Sequence, residues 1–259
     1  MNWTLHSRVR APRLHTLLAV SALAVGLFGA STAANATVIM SSSVGGVPTT
    51  AQHYESFDSL PLGSTGGTTA TGIEVTFIPG AQAVQGAASG MYAAPFVSNG
   101  NGALFGDSAF SGADSSTYLT SGSTGSSANA DVTLSFGSQQ RYFGLLWGSV
   151  DDFNTLAFYS GDSLVTSFDG TDVSNSAGTG NCFGGNQGAL GSCYVNINFL
   201  TGSYDRVVAM SSSYAFEFDN VAFSTSPIGV PEPGALGMMG LGLLSLGGLA
   251  LRRRKGSIK

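Results

Sequence analysis

Charge is scarce in this chain, and lysine is scarcer still. Only 10% of the 259 residues are charged, and no lysine occurs between residues 37 and 230. The two arginines of that stretch, Arg141 and Arg206, stand against fourteen acidic side chains, a net charge of −12, while the other cations sit at the two ends. Two isolated arginines cannot neutralise a run of phosphates, which excludes nucleic acid as a partner and disfavours docking to anionic lipid. Histidine is also scarce, with His53 alone in the body. A lone histidine in a polar stretch reads as surface, which removes the usual base of a Ser-His-Asp triad and the ligands of a zinc triad. Between the two ends no sustained 3.6-residue apolar stripe appears, so a helical body is excluded.

Cysteine is limited to Cys182 and Cys193. Their spacing is not CxxC and no histidine lies nearby, which argues against a redox or metal pair. In an exported protein a disulfide is the natural reading, closing a glycine-rich loop for about 3 kcal/mol in the loop-entropy picture.

The chain does have two apolar ends. Arg8, Arg10 and Arg13 precede an apolar run from Leu17 to Ala30, followed by Ala34-Asn35-Ala36. That order is a secretory signal peptide over residues 1–36, with small residues at −3 and −1 for signal peptidase and cleavage after Ala36. At the other end, Pro231-Glu232-Pro233 precedes eighteen apolar or small residues, Gly234 to Leu251, and then Arg252, Arg253, Arg254 and Lys255. Eighteen residues at ~1.5 Å each span ~27 Å, enough for one transmembrane helix over 234–251. The basic tail 252–255 would stay cytoplasmic, leaving the body outside.

The tripeptide, the glycine- and leucine-rich span and the arginine cluster, following a signal peptide on the same chain, resemble the PEP-CTERM sorting signal of Gram-negative bacteria. The resemblance covers residues 230–259. It implies recognition of Pro231, Glu232 and Pro233 by exosortase, a membrane-embedded protease, and retention by Arg252, Arg253 and Arg254 until the tail is removed. The implied route runs from an inner-membrane-anchored precursor to the cell surface or extracellular matrix.

Residues 37–229 read as one extracytoplasmic all-β domain. Short β-branched and aromatic runs recur between clusters of Gly, Ser, Asn and Asp, the pattern of a sandwich or barrel. Strands are predicted near Ile73–Ile78, Val132–Phe136, Tyr142–Trp147, Thr155–Tyr159, Leu164–Phe168, Tyr194–Phe199, Arg206–Met210 and Tyr214–Phe223. Val195, Ile197 and Phe199 should face the core, with Asn196 and Asn198 facing water, while Tyr214, Phe216 and Phe218 alternate with Ala215, Glu217 and Asp219. Ser160-Gly161-Asp162-Ser163 predicts a hairpin turn, and the parity change after Phe218 predicts a bulge at Asp219-Asn220. Ser98 to Gly125 reads as long surface loops. The segment from Arg141 to Tyr159, with Phe218 to Phe223, also resembles bodies of exosortase-dependent surface proteins, which implies a jelly-roll-like β-sandwich and carries over no catalytic residue.

For chemistry, Asp151 and Asp152 are adjacent, but neighbours on a strand point to opposite faces and at a strand end such a pair caps a turn, so they are a poor pair for acid–base work. Asp151, Asp152, Asn154, Asp219 and Asn220 offer oxygen ligands for Ca²⁺, at a spacing unlike an EF-hand loop; turn-forming Asp and Asn are the alternative. Trp147, Tyr142, Tyr159, Tyr194 and Tyr214 could stack on sugars or lie in the core. The expectation is a non-enzymatic protein of the cell surface or exopolysaccharide matrix of a biofilm-forming bacterium, without a cofactor. The alternatives are a carbohydrate-binding module, calcium-dependent in one form, and a secreted polysaccharide hydrolase or lyase.

Overall fold

The structure, a computed structural model, describes residues 36–48, 50–78, 80–98, 101, 111–121, 130–178, 182 and 184–229. The expected signal peptide up to Asn35, including Ala34, and the expected C-terminal segment 230–259 lie outside the described residues. Among the described residues no helix is long and apolar enough to cross a membrane.

In chain order the strands are β1 (Val38–Ser43), β2 (His53–Glu55), β3 (Gly66–Thr68), β4 (Glu74–Phe77), β5 (Gln82–Val84), β6 (Phe96–Val97), β7 (Gly112–Ala113) and β8 (Tyr118–Ser121). They continue as β9 (Ala130–Gln140), β10 (Tyr142–Gly148), β11 (Asn154–Ser160) and β12 (Ser163–Asp169). After the helix α1 (Gly170–Ala177) come β13 (Cys193–Phe199), β14 (Tyr204–Ser211) and β15 (Phe216–Ser224). One sheet runs β1-β13-β10-β15-β8-β5, with β2 also pairing β15; the other runs β12-β11-β14-β9-β4-β3; β6 and β7 form a separate small ribbon. The body is therefore all-β, in two sandwich-like sheets.

Period-two alternation builds the shared core. Phe143, Leu145 and Trp147 of β10 and Val195, Ile197 and Phe199 of β13 join one apolar cluster with Val132 and Leu134 of β9, Phe158 of β11 and Val207 of β14. Each such side chain contributes about 1.5–3 kcal/mol on burial. Aromatic rings close the middle edge-on: Phe158 meets Phe143 at 5.5 Å and Tyr204 at 5.1 Å between ring centroids. Buried Tyr204 keeps its hydroxyl satisfied by donating to the Tyr142 carbonyl at 2.6 Å.

All eight predicted strands are present, each within a few residues of its expected limits. The hairpin joins β11 to β12, with Ser160 opposite Ser163 and Gly161 at φ +57°. The bulge is also present: β10 advances two residues from Gly144 to Leu146 while β15 moves three from Ala222 to Asp219, and Asn220 takes φ +50°.

Three expectations need correction. Ser98 to Gly125 is not loop throughout, because Tyr118–Ser121 forms β8, all four residues buried between β5 and β15. Asn198 does not face water; it is 8% exposed and accepts from the Ile228 amide at 2.7 Å, as the chain after β15 lies over it. Asn196 is half-buried, its side chain accepting from the Tyr142 hydroxyl at 2.7 Å. A short helix, α1, adds to the expected strands. It starts in a capping box, where Asp169 accepts from the Asp172 amide at 3.0 Å and Asp172 accepts from the Asp169 amide at 3.1 Å.

Candidate functional site

The outer face of the first sheet is not bare. Residues of the segment 86–98 lie across it, and Val97 of β6 packs on Leu146 and Tyr194. The Phe96 amide donates to Ser192 Oγ at 2.8 Å. This cover buries positions of β10, β13 and β15 that alternation alone would leave in water.

Where the cover meets the end of β15, a cavity of about 420 Å³ opens, lined among others by Asp151, Glu217, Tyr92, Tyr214, Ser149 and Gln187. Glu217 forms its floor at 2% exposure. Its Oε1 accepts from the Ala93 amide at 2.8 Å, and its Oε2 has no hydrogen-bond partner among the described residues. Burial pushes the Glu217 carboxyl up to about 8, with the Asp151 charge adding to the rise. Asp151 rises to about 6, through burial and then the neighbouring Asp152 charge. The cavity thus combines a carboxyl held neutral at pH 7, a carboxylate and two half-buried tyrosines. Such a set can donate to and accept from polyhydroxylated ligands while offering ring surface.

A disulfide braces one wall. Cys182 and Cys193 are bonded, their Cα atoms 5.5 Å apart, as the sequence predicts. The Val150 amide donates to the Gly191 carbonyl at 3.0 Å, which ties the bridged loop to the chain just before Asp151. Gly185, at φ +60°, passes so near that a Cβ there would stand 2.9 Å from Asp151 Oδ1.

The five residues expected as a cation set do not form one cluster. Asp151 lines the cavity and Asp152 is exposed. Asn154 is fully buried at the start of β11, donating to the Ala215 carbonyl at 3.0 Å and accepting from Ser211 Oγ at 2.7 Å, so its side chain is already occupied. Asp219 and Asn220 sit together at the bulge, both fully buried. Among the described residues no three His, Cys, Asp or Glu side chains converge.

The expected sugar-stacking rings are also divided. Trp147, Tyr142 and Tyr194 are buried, and Trp147 stacks on Phe216 at 4.2 Å. Tyr159 lies on the other sheet beneath the Arg206 guanidinium, 4.3 Å from its ring centroid. Only Tyr214 of the five lines the cavity, joined by Tyr92. His53, exposed on β2, stacks on Phe223 at 4.8 Å and has a packing role. Sequence reasoning missed Glu217 as a site residue; the change of strand parity beside it was visible, but the segment that buries it was not.

The last strand, β15, ends at Ser224, and the described residues end at Gly229. Residues 229–255 match the family model described as the PEP-CTERM protein-sorting motif. The chain carries a PEP-CTERM sorting motif. The match contains Pro231, Glu232, Pro233 and the cluster Arg252 to Arg254, all outside the described residues. A PEP-CTERM motif implies exosortase-dependent sorting of a secreted surface protein. No curated protein and no solved structure matches the chain.

Proposed function

We propose that this protein is a non-enzymatic component of the cell surface or exopolysaccharide matrix of a Gram-negative bacterium, exported through residues 1–36 and released when exosortase acts at Pro231-Glu232-Pro233. The single observation that carries this reading is the PEP-CTERM motif over residues 229–255, which follows the strand-rich residues ending at Ser224. The precursor is held in the inner membrane by residues 234–251, with Arg252, Arg253 and Arg254 on the cytoplasmic side. The body is jelly-roll-like: its last eight strands take the orders β13-β10-β15-β8 and β12-β11-β14-β9, so that consecutive strands cross between sheets except at the β11–β12 hairpin.

A second reading, binding of a glycan chain, draws support from the cavity over β15, where Glu217 and Asp151 face a space edged by Tyr92 and Tyr214. The test is affinity electrophoresis of the secreted protein in gels containing exopolysaccharide purified from the host strain. Retardation that weakens in Y214A supports glycan binding, and unretarded migration removes it. Release of reducing ends from the same polysaccharide would instead support a hydrolase acting through the two carboxyls.

A further inference from the structure

Two residues beyond Glu217, β15 presents a second buried carboxylate with a different set of neighbours. Asp219 is fully buried, and it interacts directly with Asp114, which is 5% exposed. Ser116 stands between them: its amide donates to Asp114 Oδ1 at 2.8 Å, and its hydroxyl reaches Asp114 Oδ1 at 2.5 Å and Asp219 Oδ2 at 3.3 Å. The remaining oxygens, Asp114 Oδ2 and Asp219 Oδ1, have no hydrogen-bond partner among the described residues, and neither has Asn220 Oδ1. At the bulge, Asn220 takes φ +50° and its Nδ2 donates to the Asn101 carbonyl at 3.0 Å.

Among the described residues no cation pairs with these two carboxylates. Between residues 37 and 230 the chain has only Arg141 and Arg206. Arg141 donates to the Phe199 and Leu200 carbonyls, and Arg206 to the Gly161 carbonyl at 3.0 Å. His53 is stacked on Phe223. A third carboxylate, Asp58, adds to the negative field and already accepts from the Thr117 amide at 3.0 Å. Two buried carboxylates with unpaired oxygens need either a shared proton or a bound cation.

We propose that Asp114, Ser116, Asp219 and Asn220 form a buried site for a hard divalent cation, with calcium the ion that the donor set suits. All four offer oxygen, two of them as carboxylate, and Ca²⁺ accepts such mixed sets with water completing its shell. Asp114 also anchors the cover, its amide donating to the Pro95 carbonyl at 2.8 Å, so an ion here fastens the cover to β15. The site stands independently of glycan binding in the neighbouring cavity.

The test uses the processed protein recovered from the medium. Its thermal unfolding is followed in EDTA, in millimolar CaCl₂ and in millimolar MgCl₂, for the wild type and for D219N, D114N and D152N. Calcium should raise the wild-type midpoint by about 5 °C or more. It should do the same for D152N, whose carboxylate is exposed and outside the site, but not for D219N or D114N. If the last two fail to fold, Tb³⁺ luminescence on the wild type and D152N reads the site directly: saturable emission displaced by Ca²⁺ upholds it. A wild-type midpoint indifferent to calcium, with no saturable Tb³⁺ emission, overturns the proposal and leaves a proton shared by Asp114 and Asp219. A calcium shift that survives in D219N also overturns it, by locating the ion elsewhere.

Discussion

The Ala93 amide donates to Glu217 Oε1 at 2.8 Å, and this one bond joins the segment covering the first sheet to the strand beneath it. Both groups are buried, so losing the acceptor leaves an amide without a partner. E217A should cost about 1–3 kcal/mol by urea unfolding, and E217Q, which keeps an acceptor oxygen, distinctly less. Hydrogen exchange at residues 88–95 should speed up in E217A. Equal stability of the two variants would show that the bond does not hold the cover.

Asp151 gives the cavity a pH signature. Its folded-state pKa lies at about 6, above the unfolded 3.8, so the folded state binds this proton more tightly. The resulting penalty is absent below pH 3.8, grows as pH rises through about 6, and is complete above that. D151N should therefore be more stable than wild type at pH 7, and the gap between their melting temperatures should close on acidification to below pH 3.8. A gap independent of pH would contradict the assignment.

Gly144 is constrained by tyrosines. On the outer face of β10 a Cβ at this position would lie 2.7 Å from the Tyr194 hydroxyl oxygen and would also meet the Tyr142 hydroxyl. The Tyr194 hydroxyl donates to the Asn220 carbonyl at 3.2 Å, so displacing the ring disturbs the bulge. G144A should lose about 1–3 kcal/mol by overpacking, although alanine is ordinarily the better strand residue. A neutral result in urea unfolding would mean that the rings move aside freely.

The Cys182–Cys193 bridge should matter locally as well as globally. Removing it in C182A/C193A should cost about 3 kcal/mol and raise proteolytic nicking between the two positions. Unchanged nicking kinetics would count against its role as a brace for the cavity wall.

Much of this architecture could be read from particular residues. Val195, Ile197 and Phe199 alternate into the core as expected, Gly161 turns the hairpin, and the parity change after Phe218 marks the bulge. β8 was hidden because its four residues, Tyr-Leu-Thr-Ser, carry only two large apolar side chains inside a Gly- and Ser-rich stretch, and pairing with β5 and β15 makes it a strand. α1 was hidden by its length and by having only Gly170 and Val173 buried, too few positions to establish a helical period. The candidate site was the least legible. Alternation separates the two faces of a strand but does not tell which distant segment covers the outer one, so the burial of Glu217 and Asp219, and the arrival of Asp114 from more than a hundred residues away, depend on tertiary packing alone.

Exosortase-dependent sorting is tested by intact mass with cell fractionation, in a PEP-CTERM-encoding host with and without its exosortase. The protein in the medium or matrix should lack its tail only when exosortase is present, and should keep a full tail in the membrane fraction when it is absent. A tail retained in the membrane fraction of both strains would contradict it, leaving a membrane-held β-domain that exosortase does not process.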